Sequence, residues 1–113
     1  MPFIEVKTNV PVAADTAAQL KAGLGKAITA IPGKSETWLM VNICGGQMMY
    51  FQGTDAPCAM VEVKLYGGAS SSAYQAMTER TTDVVSACLN VPAGRIYVKY
   101  DEVEHWGMGG SNF

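Results

Sequence analysis

The sequence predicts an α/β (α+β) fold: a two-layer sandwich whose duplicated β-α-β units place two helices on one face of a four-stranded mixed sheet. Strand, helix and strand patterns follow one another twice along the 113 residues, in pseudo-repeats of about 1–50 and 58–113. The segment IPGK at 31–34 before one strand is matched by VPAGR at 91–95 before another. Hydrophobic residues make up 49% of the chain, enough for one core, so we expect a single domain over 1–113.

The first unit begins with a strand and continues into an amphipathic helix. Residues Phe3–Thr8 alternate apolar and polar side chains, as a half-buried strand does. Asp15 is the predicted N-cap of the helix, and Pro32-Gly33 is its predicted end. The apolar positions of this helix recur at spacings of four, four and three residues, at Leu20, Leu24, Ile28 and Ile31.

A second strand is predicted for Trp38–Cys44. This segment is almost continuously apolar, so we expect it to be buried on both faces of the sheet. The pair Gly45-Gly46 then turns the chain, and Met48–Phe51 is predicted to form a short extra strand.

The second unit repeats this order. Cys58–Tyr66 is the predicted third strand, and Ile96–Tyr100 is the strand that follows the second helix. Ser70 or Ser71 is expected to cap that helix. The apolar side of the helix comprises Ala73, Met77, Val84, Val85 and Cys88. Because the strands are apolar on the face that the helices leave uncovered, we expect sheets to pack or pair between subunits.

Charge and composition exclude several classes of protein. The net charge is -2 and the basic residues are scattered, so nucleic acid is not an expected partner. No apolar run approaches the roughly 20 residues of a membrane span. The first residues lack the basic and apolar regions of a secretory signal. We therefore expect a cytoplasmic protein that does not insert into membranes.

The cysteine and histidine content argues against a metal site. Cys44, Cys58 and Cys88 are odd in number and form no CxxC pair, and His105 is the only histidine. No serine lies in a nucleophile-elbow context, and the paired glycines match no phosphate-binding pattern. We expect three reduced thiols, no metal and no cofactor.

Pro2 is the residue with the most distinctive chemistry. A proline nitrogen inside a chain is an amide, which neither accepts nor donates a proton. If Met1 is removed, the same nitrogen becomes a secondary amine that could do both. A general base works best with a pKa near ambient pH, so an apolar pocket or a nearby cation would have to lower the pKa of this amine.

Several motifs occur in an informative order over essentially the whole chain. They are Pro2–Ile4, Thr8–Pro11, Gly33-Lys34, Met49–Gly53, Pro57–Ala59, Arg95–Val98 and the ending Trp106–Phe113. On these motifs the sequence resembles the macrophage migration inhibitory factor family of the tautomerase superfamily, which includes D-dopachrome tautomerase.

The resemblance implies a homotrimer with a site at each subunit interface. There the N-terminal proline would interconvert keto and enol forms of phenylpyruvate-like or dopachrome-like substrates. Pro2 would be the general base and acid. Lys34, at the position of the family's pocket lysine, would lower the pKa of that amine and bind a carboxylate or an enolate oxygen. Tyr97 would reach the neighbouring subunit's site and hydrogen-bond the substrate.

The expected substrate pocket also departs from the family pattern. Its predicted walls are Phe3, Trp38, Tyr66, Trp106, Met108 and Phe113. Lys99 replaces an asparagine of the mammalian proteins and is either a second cation for anionic substrates or a solvated residue. Met108 stands where tryptophan is common, and Tyr66 where a smaller aliphatic residue is usual. The second cysteine of the CxxC found in some relatives is lost, so oxidoreductase activity is not expected.

Two alternatives stay open beside the tautomerase. One is a cytokine-like signalling protein that binds a cell-surface receptor after leaderless secretion and keeps a weak or vestigial tautomerase site. The other is a structural trimer with neither activity. Dehalogenases and decarboxylases of the superfamily typically hold carboxylates with arginines near the proline, and the only arginines here are Arg80 and Arg95.

Overall fold

The main sheet has four strands in the order β2-β1-β3-β4 in the computed structural model, which describes residues 1–113. The strands are β1 Pro2–Thr8, β2 Met40–Cys44, β3 Ala59–Tyr66 and β4 Ile96–Val103. The helices are α1 Ala14–Ala27 and α2 Ser71–Leu89. Each helix joins two parallel strands, and the two units meet where β1 runs antiparallel to β3. The predicted fold class, with duplicated β-α-β units, is confirmed.

Short elements complete the chain. Three 3₁₀ turns cover Ile28–Ala30, Glu36–Trp38 and Ala93–Arg95. A C-terminal hairpin pairs β5 Gly107–Met108 with β6 Ser111–Asn112. The sequence did not predict this hairpin, because two-residue strands are too short to show an alternating pattern.

The core lies between the helices and one face of the sheet. Alternate residues of β1 and β3 are fully buried, among them Ile4, Val6, Val61 and Val63. Leu20 and Leu24 of α1 and Met77 and Val85 of α2 complete the same hydrophobic cluster. Because successive side chains of a strand point to opposite faces, the remaining side chains of each strand point away from the helices. We call this uncovered side of the sheet the open face.

The helix ends follow the prediction in α2 and differ from it in α1. Ser70 is the N-cap of α2, and its Oγ accepts a hydrogen bond from the backbone N–H of Ala73 at 3.2 Å. In α1 the N-cap position is Ala13, without a side-chain cap, and Asp15 lies in the first turn. The Asp15 prediction is therefore wrong by two residues, although an acidic side chain there still favours the positive end of the helix dipole.

The prediction that Trp38–Cys44 is a buried strand is wrong. Strand β2 begins at Met40 and lies at the edge of the sheet, paired only with β1. Trp38 belongs to the preceding 3₁₀ turn and is 55% exposed. Apolar composition cannot distinguish an edge strand from a central one. The predicted strand at Met48–Phe51 is also absent, since Phe51 makes only an isolated bridge with Thr54.

The centre of the open face is charged, which corrects the prediction of an apolar uncovered face. Its charged side chains are Glu5, Lys7, Glu62, Lys64, Lys99 and Asp101, and Glu62 lies among three ammonium groups. Lys99 Nζ is 3.2 Å and Lys7 Nζ 3.3 Å from its carboxylate. Burial alone would raise the pKa of Glu62, but hydrogen bonds from Lys99 and Lys7 outweigh it and lower that pKa. Ion pairs therefore join neighbouring strands across this face.

Candidate functional site

A pocket of about 330 Å³ opens at the N-terminal end of β1. Its lining comprises Met1, Pro2, Phe3, Trp38, Met40, Trp106, Gly107 and Met108. Five of the ten predicted site residues therefore come together from three parts of the chain that are distant in sequence. Most of the lining side chains are apolar, so a charged group inside the pocket would lose hydration.

Strand pairing and the C-terminal hairpin position these side chains. Pro2 lies opposite Leu65 in the antiparallel pair β1–β3 and is buried. Phe3 lies beside Met40 in the parallel pair β1–β2, which brings the end of the 3₁₀ turn and Trp38 next to the N-terminus. The hairpin is closed by the Phe113 N–H, which donates to the Trp106 carbonyl at 3.0 Å.

Lys34 approaches the N-terminus from the loop after α1. Gly33, with φ of 80°, turns the chain in a conformation that favours glycine. The Lys34 ammonium then donates to the Tyr66 carbonyl at 3.2 Å. The backbone N–H of Tyr66 in turn donates to the Met1 carbonyl at 3.0 Å. The end of β3 thus holds both the lysine and the chain terminus.

This environment changes the acidity of the terminal amine. Burial, followed by the hydrogen bond and the positive charge of Lys34, lowers the pKa of the Met1 α-amine from 8.0 to about 6. All three causes disfavour the ammonium form. At neutral pH the amine at this end of the chain is therefore mostly the free base, with Lys34 as the cation beside it.

Tyr66 and Phe113 do not line this pocket. Their rings pack against each other with centroids 5.9 Å apart, and Phe113 is 52% exposed. Tyr66 contributes its backbone to the site, through the two hydrogen bonds to Lys34 and Met1. Their predicted contacts with substrate stay predictions.

Tyr97 lies far from Pro2 within one chain. Along β3, Tyr97 is opposite Met60 whereas Pro2 is opposite Leu65. Five positions of a strand correspond to about 17 Å. Tyr97 is 60% exposed and lines a second, smaller pocket of about 200 Å³. The fold of a single chain does not bring the two residues together.

Lys99 is held on the open face by carboxylates. Its Nζ is 3.2 Å from Glu62 and 3.3 Å from Asp101. Hydrogen bonds to Glu62 and Asp101, then the charge of Asp101, raise the pKa of Lys99. Within one chain Lys99 is not beside Pro2, so its predicted role toward anionic substrates is not tested by this arrangement.

Three residues of the pocket were not anticipated. Met1 enters the predictions only through its removal, Met40 only as part of a buried strand, and Gly107 only within the closing motif. Parallel pairing of the first two strands in register would have placed Met40 beside Phe3. For Gly107 no periodic signal exists in the sequence.

The three cysteines Cys44, Cys58 and Cys88 are free. No helix is both long and apolar enough to cross a membrane.

Comparisons with known proteins agree with this fold. The family described as Macrophage migration inhibitory factor (MIF) matches residues 1–113. A macrophage migration inhibitory factor homolog of Trichuris trichiura is 30% identical over 115 residues, covering 100% of both chains. A D-dopachrome decarboxylase of Gallus gallus is 30% identical over 114 residues, covering 96% of this chain and 92% of that protein.

A solved structure gives the same result. The crystal structure of Leishmania major MIF2 superimposes with a TM-score of 0.94 at 33% identity, covering 100% of this chain and 97% of that one. The match includes both β-α-β units and both chain ends. The chain therefore belongs to the macrophage migration inhibitory factor family.

Proposed function

We propose that this chain, once Met1 is removed, is a keto-enol tautomerase that uses the secondary amine of Pro2 as general base and acid. The observation that carries this proposal is the lowered pKa, about 6, of the α-amine that occupies this end of the chain, with Lys34 beside it. Removal of Met1 would move the amine one residue inward, to the buried Pro2, where we expect burial and Lys34 to act on its pKa in the same sense.

The chemistry needs one proton to move twice. The Pro2 nitrogen takes a proton from the carbon next to the substrate carbonyl, and the electron pair of that C–H bond shifts to give an enolate. Lys34 stabilises the negative oxygen or pairs with a substrate carboxylate. The protonated amine then returns its proton to the enolate oxygen, so the substrate is isomerised without any gain or loss of atoms. Phenylpyruvate-like and dopachrome-like compounds are the proposed substrates.

A shared site explains the position of Tyr97. Since Tyr97 lies about 17 Å along the sheet from Pro2, a site that uses both residues needs two subunits. We therefore place Tyr97 of one subunit at the Pro2 pocket of the next, in a homotrimer. Tyr66, Lys99 and Phe113 are the proposed substrate contacts that such an assembly would add.

The test combines an intact mass with a phenylpyruvate assay. Protein whose mass shows loss of Met1 should tautomerise phenylpyruvate, and Pro2→Gly should reduce kcat/KM by at least 100-fold, about the contribution of a general base. Pro11→Ala, at an exposed proline outside the pocket, is the control and should keep full activity. Equal turnover by protein that retains Met1 would show the mechanism to be wrong.

A signalling role is the second candidate, favoured by relatives whose names describe an effect on macrophage migration. This role would require binding to a cell-surface receptor. Processed wild-type protein without tautomerase turnover, but with saturable binding to cells, would put this role first. Turnover abolished by Pro2→Gly would put the enzyme first.

A further inference from the structure

The loop between β2 and β3 presents Phe51 from a tight turn. The Phe51 N–H donates to the Thr54 carbonyl at 2.9 Å, and the Thr54 N–H donates back at 3.1 Å. Between them, Gln52 and Gly53 have φ of 53° and 77°. A type I′ turn requires positive φ at both central positions, so the turn itself fixes the backbone of Phe51.

Arg95 fastens the rest of this loop. Its Nε donates to the Pro57 carbonyl at 2.9 Å, and its Nη2 donates to the Ala56 carbonyl at 3.0 Å and to the Thr54 carbonyl at 3.4 Å. The guanidinium is planar, and its donors are fixed relative to one another. Three carbonyls bound by one group therefore determine the plane and the position of the guanidinium.

The guanidinium also holds an aromatic contact. It lies 5.1 Å from the centroid of the Phe51 ring, within the range of a cation–π interaction. The Phe51 ring meets the Tyr97 ring edge-on, with centroids 5.0 Å apart and an interplanar angle of 82°. This is a preferred geometry for two aromatic rings. A continuous series of contacts thus joins Arg95 to Tyr97 through Phe51.

Tyr97 needs such support. Within one chain Tyr97 is 60% exposed on strand β4, and the Phe51 ring is the aromatic contact that the fold gives it. An exposed aromatic side chain moves readily among its rotamers. A contact that selects one rotamer reduces the entropy cost of presenting the hydroxyl to a substrate.

We infer that Arg95 is a positioning residue that sets the direction of the Tyr97 side chain through the Phe51 ring. Its effect on catalysis rests on the proposed function, in which the Tyr97 hydroxyl hydrogen-bonds the substrate in the adjoining subunit. Arg95 acts through the Phe51 ring, and its Nε and Nη2 donors are bound to the loop carbonyls.

A double-mutant cycle on kcat/KM tests the catalytic part. Tyr97→Phe removes one neutral hydrogen bond, expected to cost about tenfold. Arg95→Ala should lower kcat/KM by a similar factor, because it lets Tyr97 turn away. The double variant Arg95→Ala/Tyr97→Phe should fall by about tenfold and not by about 100-fold, since residues that act through one group are not additive. Independent effects that multiply would overturn the inference.

Variants that keep part of the contact sharpen this cycle. Arg95→Lys keeps a cation near the Phe51 ring but loses the fork of donors, so it should recover only part of the activity. Phe51→Leu keeps an apolar group but removes the ring, and should behave like Arg95→Ala. The control is Arg80→Ala, at an exposed arginine on α2, which should leave kcat/KM unchanged. Full activity of Phe51→Leu would overturn the role of the ring.

A spectroscopic readout separates this inference from the proposed function. In protein with isotope-labelled tyrosine, Arg95→Ala should shift and average the ring resonances of Tyr97, while those of Tyr74, packed on Tyr100 and bonded to Glu102, stay in place. Unshifted Tyr97 resonances in a folded variant would overturn the inference, whatever the enzyme does. Shifted Tyr97 resonances, in a protein whose wild type has no tautomerase activity, would support the positioning role of Arg95 and contradict the proposed function.

Discussion

At the scale of single residues, the chain terminus and Lys34 form one electrostatic unit. The pocket walls disfavour a charged amine, and the ammonium of Lys34 disfavours it further. The same ammonium remains available to an anionic group, because its hydrogen bonds to the Tyr66 carbonyl and the terminal amine leave one of its three donors free. A single lysine thus lowers the pKa of a base and provides positive charge for an anion.

Replacing Lys34 should move the pH dependence of the proposed tautomerase activity. The amine must be neutral to accept a proton, so activity falls as pH drops through its pKa. Lys34→Ala removes a cation, raises that pKa, and should move the acid limb of kcat/KM upward by about one pH unit. The loss should therefore be larger at pH 6 than at pH 9. The measurement is the pH profile of processed protein.

Two further variants complete this experiment. Lys34→Arg keeps the charge and should leave the acid limb close to that of the wild type. Lys26→Ala, at an exposed lysine in the last turn of α1, should change nothing. An acid limb that Lys34→Ala leaves in place would show that Lys34 does not lower the pKa of the base.

At the scale of elements, local hydrogen bonding decides where α2 begins. Ser70 caps the helix through its Oγ, whereas Ser71 is its first residue. Ser70→Ala should lower the free energy of unfolding by about 1 kcal/mol, the usual loss for an N-cap. Ser71→Ala is the matched control and should change the free energy of unfolding by only a few tenths of a kcal/mol, since alanine is a better helix former than serine. Urea unfolding of the three proteins gives both values, and equal losses would contradict this assignment of the cap.

The central elements were predictable from the sequence because their periodicity is strong. Strands β1 and β3 bury alternate residues, and helix α2 buries residues at helical spacing. The positions of these elements follow from that pattern. The edge strand β2 was misjudged, because a run of apolar residues has the same composition whether its second face is covered or not. Part of this apolar surface instead lines the Pro2 pocket, through Met40.

The candidate site was predictable only in part. Pro2, Lys34 and the aromatic walls were expected from the resemblance to the family, and the structure places Pro2, Phe3 and Trp38 in one pocket. The support of Tyr97 by Arg95 was not predictable, because hydrogen bonds to three backbone carbonyls of an irregular loop produce no recognisable pattern of side chains in the sequence. Contacts of that kind depend on the folded backbone rather than on residue type.

At the scale of the whole molecule, the proposed assembly can be tested by mixing subunits. Pro2→Gly and Tyr97→Phe subunits each lack one part of a shared site. If the two are unfolded and refolded together in equal amounts, about a quarter of the sites in random trimers combine an intact Pro2 with an intact neighbouring Tyr97. Activity should therefore rise above that of either variant alone, toward about a quarter of wild type.

The control for this experiment is each variant refolded by itself, which should gain nothing. Light scattering should give three times the chain mass of 12.0 kDa for every sample. A trimer without restored activity would place Tyr97 outside the shared site. A monomer with full activity would show that the activity does not require a site shared between subunits.

The charged open face also limits how copies of this chain can associate. A dry sheet-to-sheet contact would remove Glu62, Lys99 and their neighbours from water, and the desolvation of ion pairs commonly costs more than their attraction returns. An assembly that turns these faces inward therefore has to enclose water along them. Its subunits would be joined at their margins around a hydrated centre, so its interior should respond to ionic strength as a surface does.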